Sequence, residues 1–200
     1  MILPQQTALF LNNTHLPFGV YDNLIENVDT EHWDKKGTIT KKRRSERKAW
    51  VFIGVYSPEL IAGFAIADAG MVATAFSYFY SFKDGVFEED KMTIPLGFSS
   101  DFNPNLYSEW TLGNYSIKTK NGKMQLQYTG KYKLHIEIEN NADGASIIAP
   151  SENNRPFNFT YKNNCLPVKI QINNGGVHTY ASSGKYGSID FTKGYPPRET

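Results

Sequence analysis

The sequence predicts an all-β fold, a barrel or sandwich of antiparallel strands, and three observations predict it. Short β-branched and aromatic runs recur with polar turns between them. Along these runs apolar and polar side chains alternate with a period of two. Beyond the first fifty residues no segment carries a long i, i+3, i+4 pattern, so helix is expected to be sparse. With 200 residues, 40% of them hydrophobic and 14% aromatic, the chain can bury the core of one domain or of two small ones.

Residues 1–48 are polar, with Asn, Asp and Pro scattered through them and a charged stretch over 34–48. They are expected to form an irregular segment that packs on the barrel. At Ala49 the composition changes. Trp50 to Tyr56 reads as a strand, Ser57-Pro58-Glu59 breaks it, Leu60 to Ala67 reads as a second, and Asp68-Ala69-Gly70 is a turn before a third from Met71 to Tyr80. Three strands joined by short turns make a meander. On the third, Phe76, Tyr78 and Tyr80 share one face and Ala75, Ser77 and Phe79 the other.

Lys83-Asp84-Gly85 closes a further hairpin. The clearest hairpin joins 115–119 to 124–128 through Asn121-Gly122, because Asn-Gly readily takes the positive φ angles of a type I′ turn. From Lys131 to Glu139, Tyr132, Leu134, Ile136 and Ile138 alternate with charged or polar residues, as in a strand with one wet face. Phe157, Phe159 and Tyr161 then share a face, with Asn158, Thr160 and Lys162 on the other. A last pair of strands, 168–172 and 177–180, flanks Asn173-Asn174-Gly175-Gly176.

Lys and Arg total 21 against 20 Asp and Glu, a net charge of +1, so no global field draws the chain to nucleic acid. Cys165 is the single cysteine, which excludes an internal disulfide and fits a reducing compartment; it is expected to be a small buried residue. The N-terminus has no basic, apolar targeting pattern, and cytoplasmic residence is expected. Pro58, Glu59 and Asp68 interrupt the most apolar stretch, Ala49 to Phe82, so it does not read as a membrane-spanning helix.

Six of the eight residues from Lys41 to Lys48 are basic. Lys41, Lys42, Arg43 and Arg44 raise contact with an anionic surface, although a solvated loop before the first core strand explains them better. The run has no aromatics to stack on bases. His32 and Asp34 suit an exposed turn better than a proton relay. The four histidines, His15, His32, His135 and His178, lack metal-ligand spacing, so no metal and no cofactor is implied. Nucleophile-elbow, P-loop and dinucleotide patterns are absent from the sequence.

Asp68, at the end of an apolar strand, is either a general acid facing an apolar cavity or the head of an Asx turn leading into Gly70. Thr160 and Lys162 are ligand-binding candidates if their face lines the barrel, and exposed strand residues otherwise. Asp190, Lys193, Tyr195 and Arg198 complete the set. Asp190 with Arg198 would form a clasp, whereas Tyr195 or Arg198 would alternatively guard a pocket mouth.

The segments Phe157 to Lys162, Leu166-Pro167-Val168, Gly175-Gly176 and Ser188 to Thr200 follow one another here in an order that resembles the uncharacterised family catalogued as domain of unknown function 2804. That family is distantly similar to the lipocalin-like carotenoid hydratase group, in which two antiparallel barrels lie side by side. The resemblance implies a lipocalin-like barrel over residues 49–200, or a strongly curved sandwich, forming part of a two-barrel protein and cut at its C-terminal end at Thr200. It also implies that the chain binds an apolar or amphipathic small molecule, lipid- or isoprenoid-like. The alternative is a hydratase or cyclase that protonates a prenyl-like substrate through Asp68 or Asp190. A third reading is an interaction module without a cavity.

Overall fold

A computed structural model describes residues 16–30, 33, 46–95, 104–141, 143–152, 155–176 and 178–196. Among them are twelve strands: β1 (Gly19–Asn23), β2 (Lys48–Tyr56), β3 (Leu60–Asp68), β4 (Val72–Ser81), β5 (Phe87–Pro95), β6 (Trp110–Leu112), β7 (Tyr115–Lys120), β8 (Lys123–Thr129), β9 (Lys133–Glu139), β10 (Asp143–Ala149), β11 (Asn158–Asn174) and β12 (His178–Gly194). All pairings are antiparallel, in the order β5-β4-β3-β2-β12-β11-β9-β8-β7-β6, with β10 also on β11 and β1 on β10. The sheet curls into a nearly closed barrel, as the sequence predicts. Because β1 pairs with β10, the N-terminal segment, expected to be irregular, also contributes a strand.

The predicted meander is β2-β3-β4, and the Lys83-Asp84-Gly85 turn joins β4 to β5. In the β7–β8 hairpin Asn121 and Gly122 have φ values of 53° and 74°, as a type I′ turn requires. The pair expected over 168–172 and 177–180 is the far half of two strands of seventeen residues each. Their register shifts on either side of Leu166, between Asn163 and Val168. Here Cys165 has φ 57° and Pro167 lacks an N–H, so the ladder breaks and the strand bends without ending. Cys165 is exposed rather than buried: its left-handed backbone turns it off the core face.

Period two decides what lies inside. Val51, Ile53 and Val55 of β2, Phe64 and Ile66 of β3, Ala75, Ser77 and Phe79 of β4, and Ile189 and Phe191 of β12 are buried. Rings meet across the interior, Trp110 with Phe191 at 6.4 Å and Phe64 with Tyr115 at 5.7 Å between centroids. Burying each such side chain contributes about 1.5–3 kcal/mol. The other face of β4, with Phe76 and Tyr80, is turned outward, and Tyr56, Phe82 and Phe87 are exposed near it.

Candidate functional site

Polar and charged side chains gather on the inner face at one end of the barrel. Lys193 of β12 lies opposite Ala49 of β2, and Ala49 lies opposite Asp68 of β3, so all three occupy one layer. The small Ala49 side chain leaves room between the two longer ones. Lys193 is 0% exposed and Asp68 2%. A lysine is rarely buried to this degree without partners, because removing its charge from water is costly.

Segments outside the meander supply those partners. The Lys193 Nζ donates to Asn105 Oδ1 at 3.4 Å, and the same oxygen accepts from the Val28 amide at 3.0 Å. Trp110 Nε1 donates to the Asn105 carbonyl at 3.1 Å. Buried Arg47, one residue before β2, donates from Nη1 to Thr30 Oγ1 at 2.5 Å, while the Tyr195 hydroxyl donates to the Thr30 carbonyl at 3.4 Å. Around this layer the Phe157 ring packs edge-on against Trp33 and Tyr195 at 5.1 and 5.9 Å. The result is a layer with two cations, a carboxylate, two hydroxyls and an amide, walled by aromatic rings.

Asp68 takes the turn position raised for it. Its Oδ1 accepts from the Gly70 amide at 2.8 Å, and Gly70 has φ 81°, so it heads the turn; its side chain nonetheless lies on the inner face. Tyr195 is buried in the same layer. Asp190, Thr160 and Lys162 lie together on the other face of β11 and β12. Lys162 Nζ stands 2.5 Å from Asp190 Oδ2, and Thr160 Oγ1 lies 2.8 Å from Thr192 Oγ1. The Lys162 side chain is 59% exposed, so this pair faces solvent. Asp190 thus pairs with Lys162, its direct cross-strand neighbour. Arg198, His15, His32, Asp34, Lys41, Lys42, Arg43 and Arg44 lie outside the described residues.

Lys193 takes its place by alternation with Ile189, Phe191 and Tyr195, a period-two signal visible in the sequence. Thr30, Arg47 and Asn105 carry no such signal, because long-range packing brings them in. The barrel also has an open outer groove of about 440 Å³ lined by Gln127, Lys133, His135, Gln171, Asn173 and Thr179 among others. Among the described residues no group of three or more His, Cys, Asp and Glu is placed to hold a metal ion, and no helix is long and apolar enough to cross a membrane.

The family model described as domain of unknown function (DUF2804) matches residues 8–200, and the chain belongs to that family. No curated protein matches it. Among solved structures, the fold is similar to that of a Nitrosomonas europaea protein assigned as an AttH, with 13% identity over 77% of this chain and 53% of that one and a TM-score of 0.53. It is similar also to kievitone hydratase from Nectria haematococca, with 9% identity over 76% of this chain and 48% of that one and a TM-score of 0.51. At these identities the likeness is one of fold. As a likeness of fold it agrees with the distant similarity to the hydratase group that the resemblance implies. The chain spans about half the length of each of these two proteins.

Proposed function

We propose that this chain is a lipocalin-like binding module for an apolar or amphipathic small molecule, lipid- or isoprenoid-like, whose polar end meets the layer of Lys193, Arg47 and Asp68. The observation that carries this reading is a polar layer on the inner face of a barrel whose walls are otherwise mainly aliphatic and aromatic. Small-molecule sites are built this way, with apolar walls and few convergent polar groups. Thr160 and Lys162, on the solvent face, would take part only at an outer surface. Residues 49–200 form the binding barrel in this reading, residues 1–48 close it, and a single cysteine accords with cytoplasmic residence.

Native mass spectrometry of the protein purified from its host tests the proposal. A lipid or isoprenoid is expected to copurify, and Lys193→Met is expected to lose it while keeping the fold. Repeated preparations without any bound molecule, together with no binding of added fatty acids or isoprenoid alcohols, would refute the reading.

A second reading is favoured by one observation, the burial of the Asp68 carboxyl inside the barrel. In an alkene hydration the carboxyl proton goes to one alkene carbon, water adds to the resulting cation, and the proton lost from that water returns to the carboxylate. Each turnover then consumes only alkene and water. Asp190, ion-paired and facing solvent, is poorly placed for this role. Asp68→Asn is expected to abolish any hydration of a prenyl substrate, a far larger loss than any weakening of its binding.

A further inference from the structure

Among the described residues the barrel is not closed by main-chain hydrogen bonds. The paired path begins at β5 and ends at β6, and these two strands are not bonded to each other. Side chains bridge the seam instead. Lys131 Nζ lies 2.6 Å from Glu88 Oε2, and the Tyr128 hydroxyl donates to the Asp90 carboxylate while accepting from the Lys131 amide at 2.7 Å. A methyl group placed on Gly113 would come within 2.4 Å of Met92 Sδ, so the β6–β7 turn also abuts β5. All the polar ties thus run from one short stretch, 128–131, to two carboxylates on one strand.

The strand on the other side of the seam is suited to move. β5 is the one strand among the described residues with no buried residue, and its only main-chain partner is β4. Elsewhere in the meander a ladder of eight or nine residue pairs holds each strand on both edges. The Lys131–Glu88 pair, with Lys131 56% exposed, adds little against that.

Directly behind the ties is a cluster of buried rings. Tyr115, Tyr128 and Tyr132 pack in series at 4.6 and 4.9 Å, with Phe64 beside Tyr115 and Phe79 5.0 Å from Tyr132. Tyr132 is satisfied by Ser77 at 2.8 Å, and Tyr128 by Asp90. The Tyr115 hydroxyl is buried beside Ser77, whose own hydrogen bond goes to Tyr132, and is left without a well-formed one. A buried donor left unmade is costly, so this hydroxyl has a large gain available from an incoming acceptor. Ser77 sits four residues along β4 from Ala73, which lies opposite Asp68, so seam and polar layer are about 13 Å apart at ~3.3 Å per residue. That span suits one elongated amphipathic molecule.

We propose that the β5–β8 seam is the portal of the barrel: β5 swings on β4 to admit an amphipathic small molecule, and the Tyr115 hydroxyl donates to a hydroxyl or carbonyl oxygen on it. The inference rests on the small-molecule reading above. Its occupant is an isoprenoid-like alcohol or carbonyl compound, since the rings supply apolar faces and Tyr115 a single donor.

The test uses retinol, a fluorescent isoprenoid alcohol, with the full chain carrying Cys165→Ser, Glu88→Cys and Lys131→Cys. One sample is joined across the seam by a short bis-maleimide, and the control has both thiols capped singly. Stopped-flow association is expected to be at least ~10-fold slower in the joined protein, the loss anticipated when entry needs a conformational opening. Tyr115→Phe is expected to weaken retinol binding by about 2- to 12-fold, the value of one net hydrogen bond. Equal association rates in joined and capped protein would overturn the portal alone and leave the binding reading standing. No retinol binding by wild-type or capped protein would overturn both.

Discussion

The Ser77–Tyr132 hydrogen bond is a sensitive test of the barrel's interior. Both side chains are buried, one on β4 and one in the β8–β9 turn, so their 2.8 Å contact ties opposite walls that share no ladder. Ser77→Ala leaves the Tyr132 hydroxyl buried without its partner, and Tyr132→Phe does the same to Ser77. Each single substitution is expected to cost about 1–3 kcal/mol, because an orphaned buried group loses its hydration and gains nothing. Tyr132→Phe should fall at the lower end, since the spare Tyr115 hydroxyl is close enough to Ser77 to influence it. The double variant leaves no orphan from this pair and should cost no more than about 1 kcal/mol. A coupling energy of at least about 1 kcal/mol follows. Urea unfolding with linear extrapolation measures all three, and each kcal/mol should shift Tm by about 2–4 °C for a chain of this size. Single variants within ~0.5 kcal/mol of wild type, or costs that add within the same margin, would refute the reasoning.

Three further outcomes are expected. Gly194→Ala should destabilise by about 2–4 kcal/mol in the same assay, because a Cβ there would sit 2.6 Å from the Phe157 carbonyl and 2.8 Å from Asn158 Cα, both backbone, at a φ of 157°. Burial pushes the Tyr115 and Tyr161 hydroxyls up to about 12. In the unfolded chain they ionise near pH 10, so the stability from keeping them neutral is complete below pH 10 and drains away as pH rises toward 12. Absorbance at 295 nm should therefore show these phenolates appearing only with unfolding, and free titration at pH 10 in native protein would contradict the packing. Lys162→Ala should cost less than about 1 kcal/mol, since the Lys162–Asp190 pair stands in solvent; a cost above 2 would place the pair in the structural core instead.

What the sequence made legible was local. The β2-β3-β4 meander and the Asn121-Gly122 hairpin depend on turn chemistry and alternation within some twenty residues, and both are found as read. The long β11–β12 pair reads in sequence as a short pair over 168–172 and 177–180 apart from Phe157 to Lys162, yet a bulge at Cys165 and Pro167 lets one ladder run through. On β4, alternation defines two faces but cannot choose between them, since Phe76, Tyr78 and Tyr80 are as apolar as Ala75, Ser77 and Phe79. The choice is made by volume. Phe64, Tyr115 and Tyr132 crowd the inner side of β4, so that face takes one large ring, Phe79, and two small side chains.

The same distinction governs the site. A period of two puts Lys193 on the face of Phe191 and Tyr195, so its burial follows from the sequence, as does the outward direction of Lys162 once Phe159 and Tyr161 are taken as core. A side chain's face, however, is a property of one strand, whereas its partner is a property of register between strands. Asp68 and Lys193 share a layer only because β2 lies between β3 and β12 with Ala49 opposite both, and Asp190 meets Lys162 only because β11 and β12 are in register at that pair. Cross-strand neighbours lie about 4.5–5.5 Å apart, so a slip of one residue would turn Lys193 to solvent and bring Lys162 into the core. Burying the aromatic residues that flank Lys193 therefore fixes its position too, and the polar layer is held in place by the apolar packing around it.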